Sequence, residues 1–280
     1  MKLKLVKEIE GHKDGILSSE IRNDILITGS EDNNISVWKL PHLNKIKDLT
    51  GHKSDVKKVI FSPKGDRIVS CSTDKTIKIW DSANYLCLNT LEEHSSEVNS
   101  ISFLNDNNFI SSSDDKTIKL WDINKKSSLK TINLKSGDIN AIDSSGEYIL
   151  AGGSNLIFMD LKFSILKKCE DYLYGINFIK IKNDTALIST SMEKNLEVWD
   201  LKKFELIRKL KNSSWINFIS LYQDKIILAM GEYIKVLNSN LETELEFEAH
   251  KDEIYSISVY GNYLITAGND KILKLWEIIN

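Results

Sequence analysis

The segment Ser70–Asp81 reads SCSTDKTIKIWD, and forty-one residues later Ser111–Asp122 reads SSSDDKTIKLWD. A repeat of this period is a unit too small to bury its own apolar face, so its neighbours must stack against it. Two markers set the register. A Val or Ile stands at Ile16, Val56, Val98, Ile139, Ile176, Ile216 and Ile254, and 20 to 24 residues beyond each lies Trp38, Trp80, Trp121, Met159, Trp199, Leu237 or Trp276. Five of the six Trp in the chain fall on the second marker, which makes the periodicity a property of the fold and not of composition.

Each unit carries the same local pattern. A strand begins at the Val/Ile, as in VKKVIF (56–61), and a turn such as Pro63-Lys64-Gly65-Asp66 follows. A second strand ends in Ser or Thr, a tight turn carries Asp, and a third strand ends at the Trp. A fourth, more polar strand leads onward, with lysines such as Lys125, Lys126, Lys202 and Lys203 beside it, which discourage edge-to-edge pairing. Seven such units predict an all-β, seven-bladed β-propeller of four-stranded antiparallel blades. The last unit has room for only three strands, while the alternating segment Leu3–Ile9 precedes Gly11-His12 as CLNTLEE (87–93) precedes His94. The N-terminal strand is therefore expected to complete the last blade.

Composition narrows the class. A net charge of −3 provides no bulk attraction to nucleic acid or to an anionic membrane, and no apolar run approaches the length of a membrane span. The N-terminus MKLKLVKEIEGHK interrupts its apolar residues with charges, unlike a signal peptide. Cys71, Cys87 and Cys169 are odd in number and share no metal-like spacing, so they read as free thiols in a reducing, cytoplasmic setting. Two prolines and no Gly/Ser-rich linker predict one domain over residues 1–280. No phosphate-binding or dinucleotide motif is present, and no metal or cofactor is expected.

The units with intact GH…SxD…WD text resemble WD40 repeats, and the resemblance runs through the whole chain. It is carried by His12/Asp32/Trp38, His52/Asp74/Trp80, His94/Asp115/Trp121 and His250/Asp270/Trp276. The resemblance implies a propeller in which the indole N–H, a strand hydroxyl, the His and the Asp form one hydrogen-bonded chain. Ten residues before each Trp stand Thr28, Ser70, Ser111, Ser189 and Thr266, whereas the place eight before holds Gly268 in the last unit; the former is expected to supply the hydroxyl. A Ser, His and Asp together also invite a hydrolase reading, but a device repeated in four units is structural. Blade 4 has Lys135, Ile149, Gly153 and Met159 in the four places, and blade 6 has Asn212, Ile227, Gly231 and Leu237. Blade 5 keeps Ser189, Glu193 and Trp199 with Tyr172 in place of His, so the tetrads are incomplete in blades 4–6, which read either as drift toward apolar packing or as a softer arc.

Function is then sought on the surface. In the family, partners often dock on the narrow face around the central channel, to which three positions per blade project. These positions hold six carboxylates, Glu31, Asp55, Glu97, Asp114, Asp138 and Glu253, against the single cation Lys57. Asn99, Asn140, Asn177 and Asn217 follow the Val/Ile marker in four consecutive blades, with Tyr255 at the same place in the last. Trp215, Met192, Met230 and Tyr174 add an apolar sector. An acidic, Asn-rich rim with aromatic residues suits a basic peptide carrying an apolar anchor. The expectation is a non-catalytic protein–protein interaction scaffold with a protein or peptide partner, acting as a monomer or as a subunit of a larger complex. A propeller enzyme with a central-channel site and a nucleic-acid-associated subunit are the rival readings; a His-free proposed channel layer and the net charge argue against them.

Overall fold

The computed structural model describes residues 1–279 apart from 136, 171, 173 and 174. Tyr174 therefore lies outside the described residues. Among those described there are 28 strands and no helix, arranged as seven four-stranded antiparallel sheets, the blades of a β-propeller. The chain divides into two compact units, residues 1–61 with 217–280 and residues 62–216.

In the first unit, β1 (Lys2–Glu10) is separated from β2 (Ile16–Arg22), β3 (Ile25–Ser30), β4 (Ile35–Lys39) and β5 (Asn44–Leu49), which make blade 1. β6 (Val56–Phe61) follows. At the far end of the sequence come β22 (Ile216–Tyr222), β23 (Lys225–Met230), β24 (Tyr233–Leu237) and β25 (Thr243–Glu248) of blade 6, then β26 (Ile254–Tyr260), β27 (Tyr263–Gly268) and β28 (Ile272–Ile279). The blade 7 sheet runs β1-β28-β27-β26, so the N-terminal strand does complete it. Lys2 lies opposite Ile279 and Glu10 opposite Ile272.

The second unit holds β7 (Arg67–Ser72), β8 (Ile77–Asp81) and β9 (Cys87–Leu91), then three whole blades. Blade 3 is β10 (Val98–Phe103), β11 (Asn108–Ser113), β12 (Thr117–Asp122) and β13 (Ser128–Asn133). Blade 4 is β14 (Ile139–Ser144), β15 (Tyr148–Gly153), β16 (Leu156–Asp160) and β17 (Ile165–Cys169). Blade 5 is β18 (Ile176–Lys182), β19 (Thr185–Thr190), β20 (Asn195–Asp200) and β21 (Glu205–Lys211).

Burial explains the strand compositions. Every second strand buries all residues after its first, which is why these strands are runs of Ile, Leu, Val, Ala and small hydroxyl residues with no alternation. Their two faces lie against neighbouring blades: Ile16, Leu26 and Trp38 pack with Ile265, Leu273 and Leu275, and Ile110 and Ile118 pack with Ile142, Ile149 and Ile157. Outer strands are exposed along most of their length, as in β5 and β21, and carry the lysines.

The register separates the blades more sharply than residue identity does. Trp lies opposite the residue twelve before it in four blades: Leu26 for Trp38, Ile68 for Trp80, Phe109 for Trp121 and Leu264 for Trp276. In blade 5 Trp199 lies opposite Ala186, thirteen before, because the turn after β19 is one residue longer. In blade 4 Met159 lies opposite Ile149, and in blade 6 Leu237 lies opposite Ile226, so those turns are shorter. Counting from the anchor thus misplaces positions in all three. The true counterparts of Thr28 are Ala151 in blade 4, not Ile149; Leu228 in blade 6, not Ile227; and Ile188 in blade 5, not Ser189.

Candidate functional site

Strand residues two apart share a face, so the hydroxyl on the second strand sits diagonally across from the indole on the third. Trp38 Nε1 donates to Thr28 Oγ1 at 3.0 Å, and that oxygen lies 2.7 Å from His12 Nε2. His12 Nδ1 is 3.0 Å from Asp32 Oδ2, which also accepts from the Lys13 amide at 2.9 Å. In blade 3 the chain is Trp121 to Ser111 at 2.8 Å, Ser111 to His94 at 2.7 Å and His94 to Asp115 at 2.7 Å. In blade 7 it is Trp276 to Thr266 at 2.9 Å, Thr266 to His250 at 2.7 Å and His250 to Asp270 at 2.9 Å. In blade 2 Trp80 donates to Ser70 at 2.9 Å, Thr76 N donates to Asp74, and His52 is buried. A carboxylate can only accept, so the imidazole Nδ1–H donates to the Asp, while the hydroxyl between Nε2 and the indole accepts from the indole. In blade 3, where burial lowers the His94 pKa, the neutral imidazole is held in one orientation between two fixed partners.

Ser30, Ser72 and Ser113, eight before the Trp, do something else. Their hydroxyls accept from the amides of Asp32, Asp74 and Asp115 and so shape the tight turn. The residue after the Asp is left-handed in each, with φ of 70° at Asn33, 71° at Lys75 and 67° at Lys116. Asp, Asn and Lys there close a short turn that leaves the carboxylate facing the His.

Residues 3–39, 43–81, 85–122 and 241–277 match the WD40 family, described as WD domain, G-beta repeat, and together they make up just over half of the chain. The chain belongs to the WD40 repeat family. It is 22% identical over 321 residues to the human kinesin-like protein KIF21A, an alignment covering 99% of this chain and 19% of that protein. It is also similar to pre-mRNA-processing factor 19 of Oryza sativa subsp. japonica, at 30% identity over 96 residues, 32% of this chain and 18% of the relative. The periodic tryptophan protein 2 homolog of Caenorhabditis elegans is 23% identical over 119 residues, 40% of this chain and 13% of that protein. The chain spans about a fifth or less of the length of these relatives.

The WD40 matches cover the four blades with constant turn length; blade 5 solves the same packing problem differently. Its longer turn rotates Ser189 to the opposite face, since a one-residue slip exchanges the faces of a strand. Ser189 Oγ is buried with no hydrogen-bond partner, and Ile188 takes the hydroxyl's place. The residue opposite Ile188 is Glu197, and its Oε2 accepts from Trp199 Nε1 at 3.0 Å and from Tyr172 Oη at 2.8 Å. Lys209, its cross-strand neighbour, stands 3.0 Å from Oε1. Glu193, read as the counterpart of the turn Asp, leaves Oε2 buried and without a partner. So the blade 5 anchor is Tyr172, Glu197 and Trp199, not Ser189, Glu193 and Trp199. Sequence offered one signal for it: Glu stands two before Trp where the other Trp blades have Ser36, Lys78, Lys119 and Lys274, in the same blade that replaces His with Tyr.

The proposed docking residues fall into two groups, one in each unit. In the first, the Glu31 amide donates to Gly15 O at 2.9 Å and the Asn269 amide to Glu253 O at 2.8 Å, placing these pairs side by side. A Cβ on Gly15 would stand 2.6 Å from Glu31 Oε2 and 2.9 Å from Asn269 Oδ1, so both side chains turn their oxygens into the space over this glycine. Burial, then the charges of Asp55 and Asp14, raise the Glu31 pKa, with Lys57 opposing them. Tyr255 is pushed up by burial and by its hydrogen bond to the Glu253 carboxylate. Asn217 Nδ2 donates to Glu253 at 3.4 Å.

In the second unit, Asp114 N donates to Glu97 O at 3.1 Å, and Asn99 Nδ2 bridges to Asp114 and to Ile139 O. Asp138 and Asn140 are exposed, whereas Asn177 accepts from the Ser191 hydroxyl. Ser191, not Met192, donates its amide to Gly175 O, so Met192 is displaced by the longer turn and stands 54% exposed. Trp215 is 44% exposed. Met230, counted into the apolar sector, is only 1% exposed: it ends β23 inside the core and does not reach the surface.

The tetrads carry a pH signature. Burial lowers the His94 pKa more than the Asp115 carboxylate raises it. For Asp115, burial acts upward but the hydrogen bonds from Thr117 and His94 outweigh it and hold the carboxyl below its ordinary value. In both cases the unfolded chain binds more protons, so stability rises with pH. The His94 contribution is present above about pH 6.5 and drains away as pH falls below it, and that of Asp115 is lost below about pH 4. Urea unfolding between pH 8 and 5 is expected to show falling stability in the wild type and a flatter profile in His94→Asn. Parallel profiles would contradict the assignment.

Proposed function

We propose that this chain is a non-catalytic protein-interaction scaffold that takes a basic segment of a partner protein on its acidic, Asn-rich narrow face. WD40 propellers generally bind protein partners. The observation that carries the finer reading is the crowding at Glu31, whose carboxyl is raised by burial and by the neighbouring charges of Asp55 and Asp14. Carboxylates held this close gain from a cation that none of them has to share with solvent. Glu253, Tyr255, Asn217 and Asn269 flank that group. Glu97, Asp114, Asp138, Asn99, Asn140 and Asn177 form the group in the other unit, with Trp215 as an exposed aromatic for an apolar anchor. We infer, too, that residues 1–280 act as one domain.

The test is titration with a fluorescent lysine- and arginine-rich peptide pool at low and physiological salt. The variant Glu31→Gln/Asp55→Asn/Glu253→Gln is expected to lose roughly tenfold in affinity, chiefly through slower association. Glu97→Gln/Asp114→Asn/Asp138→Asn is measured separately. Unchanged binding in both variants would remove this face as the docking site.

A further inference from the structure

Two buried side-chain oxygens in blade 5, Ser189 Oγ and Glu193 Oε2, have no hydrogen-bond partner. Both stand at the distances from Trp that the tetrad residues keep elsewhere. Ser189 is ten before Trp199, as Thr28, Ser70, Ser111 and Thr266 are before theirs, and Glu193 is six before it, as are Asp32, Asp74, Asp115 and Asp270. The rest of β19 follows the same spacing. Twelve before Trp stand Leu26, Ile68, Phe109 and Leu264, and in blade 5 Leu187; eleven before stand Ile27, Val69, Ile110 and Ile265, and in blade 5 Ile188. Yet the residue opposite Trp199 is Ala186. The composition of β19 fits the register of blades 1, 2, 3 and 7 better than the register it occupies.

The turn after β19 already has the shape it has in those blades. Lys194, five before Trp199, is left-handed with φ of 56°, and its amide donates to Ser191 O at 3.0 Å. Asn33, Lys75, Lys116 and Lys271 hold the same place, are left-handed too, and donate to the carbonyl three residues back. What differs is β19 itself, which is out of step with both neighbours: Ile176 faces Thr190, nine before Trp, where Ile16 faces Ser30, eight before. Glu197 holds it there. Its carboxylate accepts from both Tyr172 and Trp199, and a charged acceptor makes a stronger bond than a hydroxyl does. Burial raises the Tyr172 pKa most, Glu197 next, and Cys169 and Glu193 add to it, so a second carboxylate stands near that hydroxyl. Both faces of β19 are buried, and a one-residue slide exchanges them without exposing either.

We propose that blade 5 is a two-register switch: β19 slides by one residue past β18 and β20, and the slide exchanges Ser191 for Met192 on the narrow face. In the second register Leu187 lies opposite Trp199, Ser189 accepts from its indole, and Glu193 takes the place of the turn Asp, facing Tyr172. The two-residue hairpin at Asn183-Asp184 becomes a three-residue one, a common alternative. In blades 1, 3 and 7 the amide that reaches the carbonyl before the Val/Ile marker belongs to the residue before the turn acid, namely Glu31, Asp114 and Asn269. Ser191 fills that place in blade 5, with its hydroxyl donating to Asn177. The slide puts Met192 there and frees Asn177. A partner segment that packs an apolar side chain on Met192 then draws blade 5 into the second register. That consequence rests on the narrow face being the docking surface; the slide does not.

The test is fluorine NMR of the protein labelled with fluorotryptophan, the Trp199 signal being the one lost in Trp199→Phe. Relaxation dispersion is expected to reveal a second Trp199 state populated on the order of 0.1–10%. Ser189→Ala is expected to shrink that state at least roughly tenfold, because it removes the acceptor the indole finds there. Glu197→Gln keeps an acceptor but not its charge, and is expected to enlarge the state at least roughly fivefold, a gain that added Ser189→Ala cancels. A single Trp199 state in both the wild type and Glu197→Gln, or a second state indifferent to Ser189→Ala, would overturn the proposal. A basic peptide with a central Leu is expected to enlarge the second state in the wild type and not in Met192→Ser. A peptide that binds without enlarging it would overturn the link between register and docking, and one that fails to bind counts against the docking face alone.

Discussion

Glu197→Leu is expected to destabilise the protein by about 2–5 kcal/mol, while Ser189→Ala in the same blade leaves stability within about 0.5 kcal/mol. The carboxylate of Glu197 is the acceptor for both Tyr172 Oη and Trp199 Nε1. Removing it leaves two buried donors unpaired, each costing roughly 1–3 kcal/mol. Ser189 Oγ has no partner to lose, so trimming it removes a buried polar atom that contributes nothing. The contrast with blade 3 makes the test decisive. There Ser111 is the hinge of the chain between Trp121 and His94, and Ser111→Ala is expected to cost about 1–3 kcal/mol. Urea unfolding of the three variants checks the order. A Ser189→Ala variant as damaged as Ser111→Ala would mean that the longer blade 5 turn does not shift the register.

That comparison also marks what could be read from sequence. Wherever the turn between second and third strand keeps its length, counting from Trp finds the right residues: Thr28, Ser70, Ser111 and Thr266 all accept from their indoles. The closing strand was legible for a related reason, since an alternating segment before Gly11-His12 had no other place in a pattern of four strands per blade. Counting fails in blades 4, 5 and 6: a one-residue change of turn length, as in blades 5 and 6, moves the counted residue to the other face, and the two-residue change in blade 4 keeps the face but moves the residue along the strand. Ser189, Ile149 and Ile227 were misplaced in this way. Met230 is misplaced for the same reason: the counterpart position is partly exposed in other blades, but the shorter blade 6 turn leaves Met230 at the buried end of β23. The acid crowding around Glu31 was visible as a charge count, yet the notch over Gly15 was not, because it depends on which oxygens turn inward.

Deleting residues 1–10 is expected to abolish the monomeric fold, whereas moving the same residues to the other end of the chain is expected to preserve it. β1 pairs with β28 along its length, from Lys2 opposite Ile279 to Glu10 opposite Ile272. It also covers two apolar clusters: Met1 and Leu3 pack against Trp276 and Ile278, and Ile9 packs with Ile16 and Leu273. A ladder of this length, at about 0.5–1.5 kcal/mol per hydrogen bond, together with the apolar area, is comparable to the 5–15 kcal/mol by which an ordinary domain is stable. The truncated chain would leave β28, ILKLWEII, as an open edge in which six of eight residues are large and apolar. Such an edge recruits other chains. Because Lys2 lies beside Ile279, a short polar turn from Asn280 into Met1 suffices to make a permutant that begins at Gly11 and keeps the same ladder. Size-exclusion chromatography and thermal unfolding separate the outcomes. The truncation should elute as aggregate, and the permutant as a monomer melting close to wild type; a monomeric, cooperatively melting truncation would show that blade 7 stands on three strands and that β1 is dispensable.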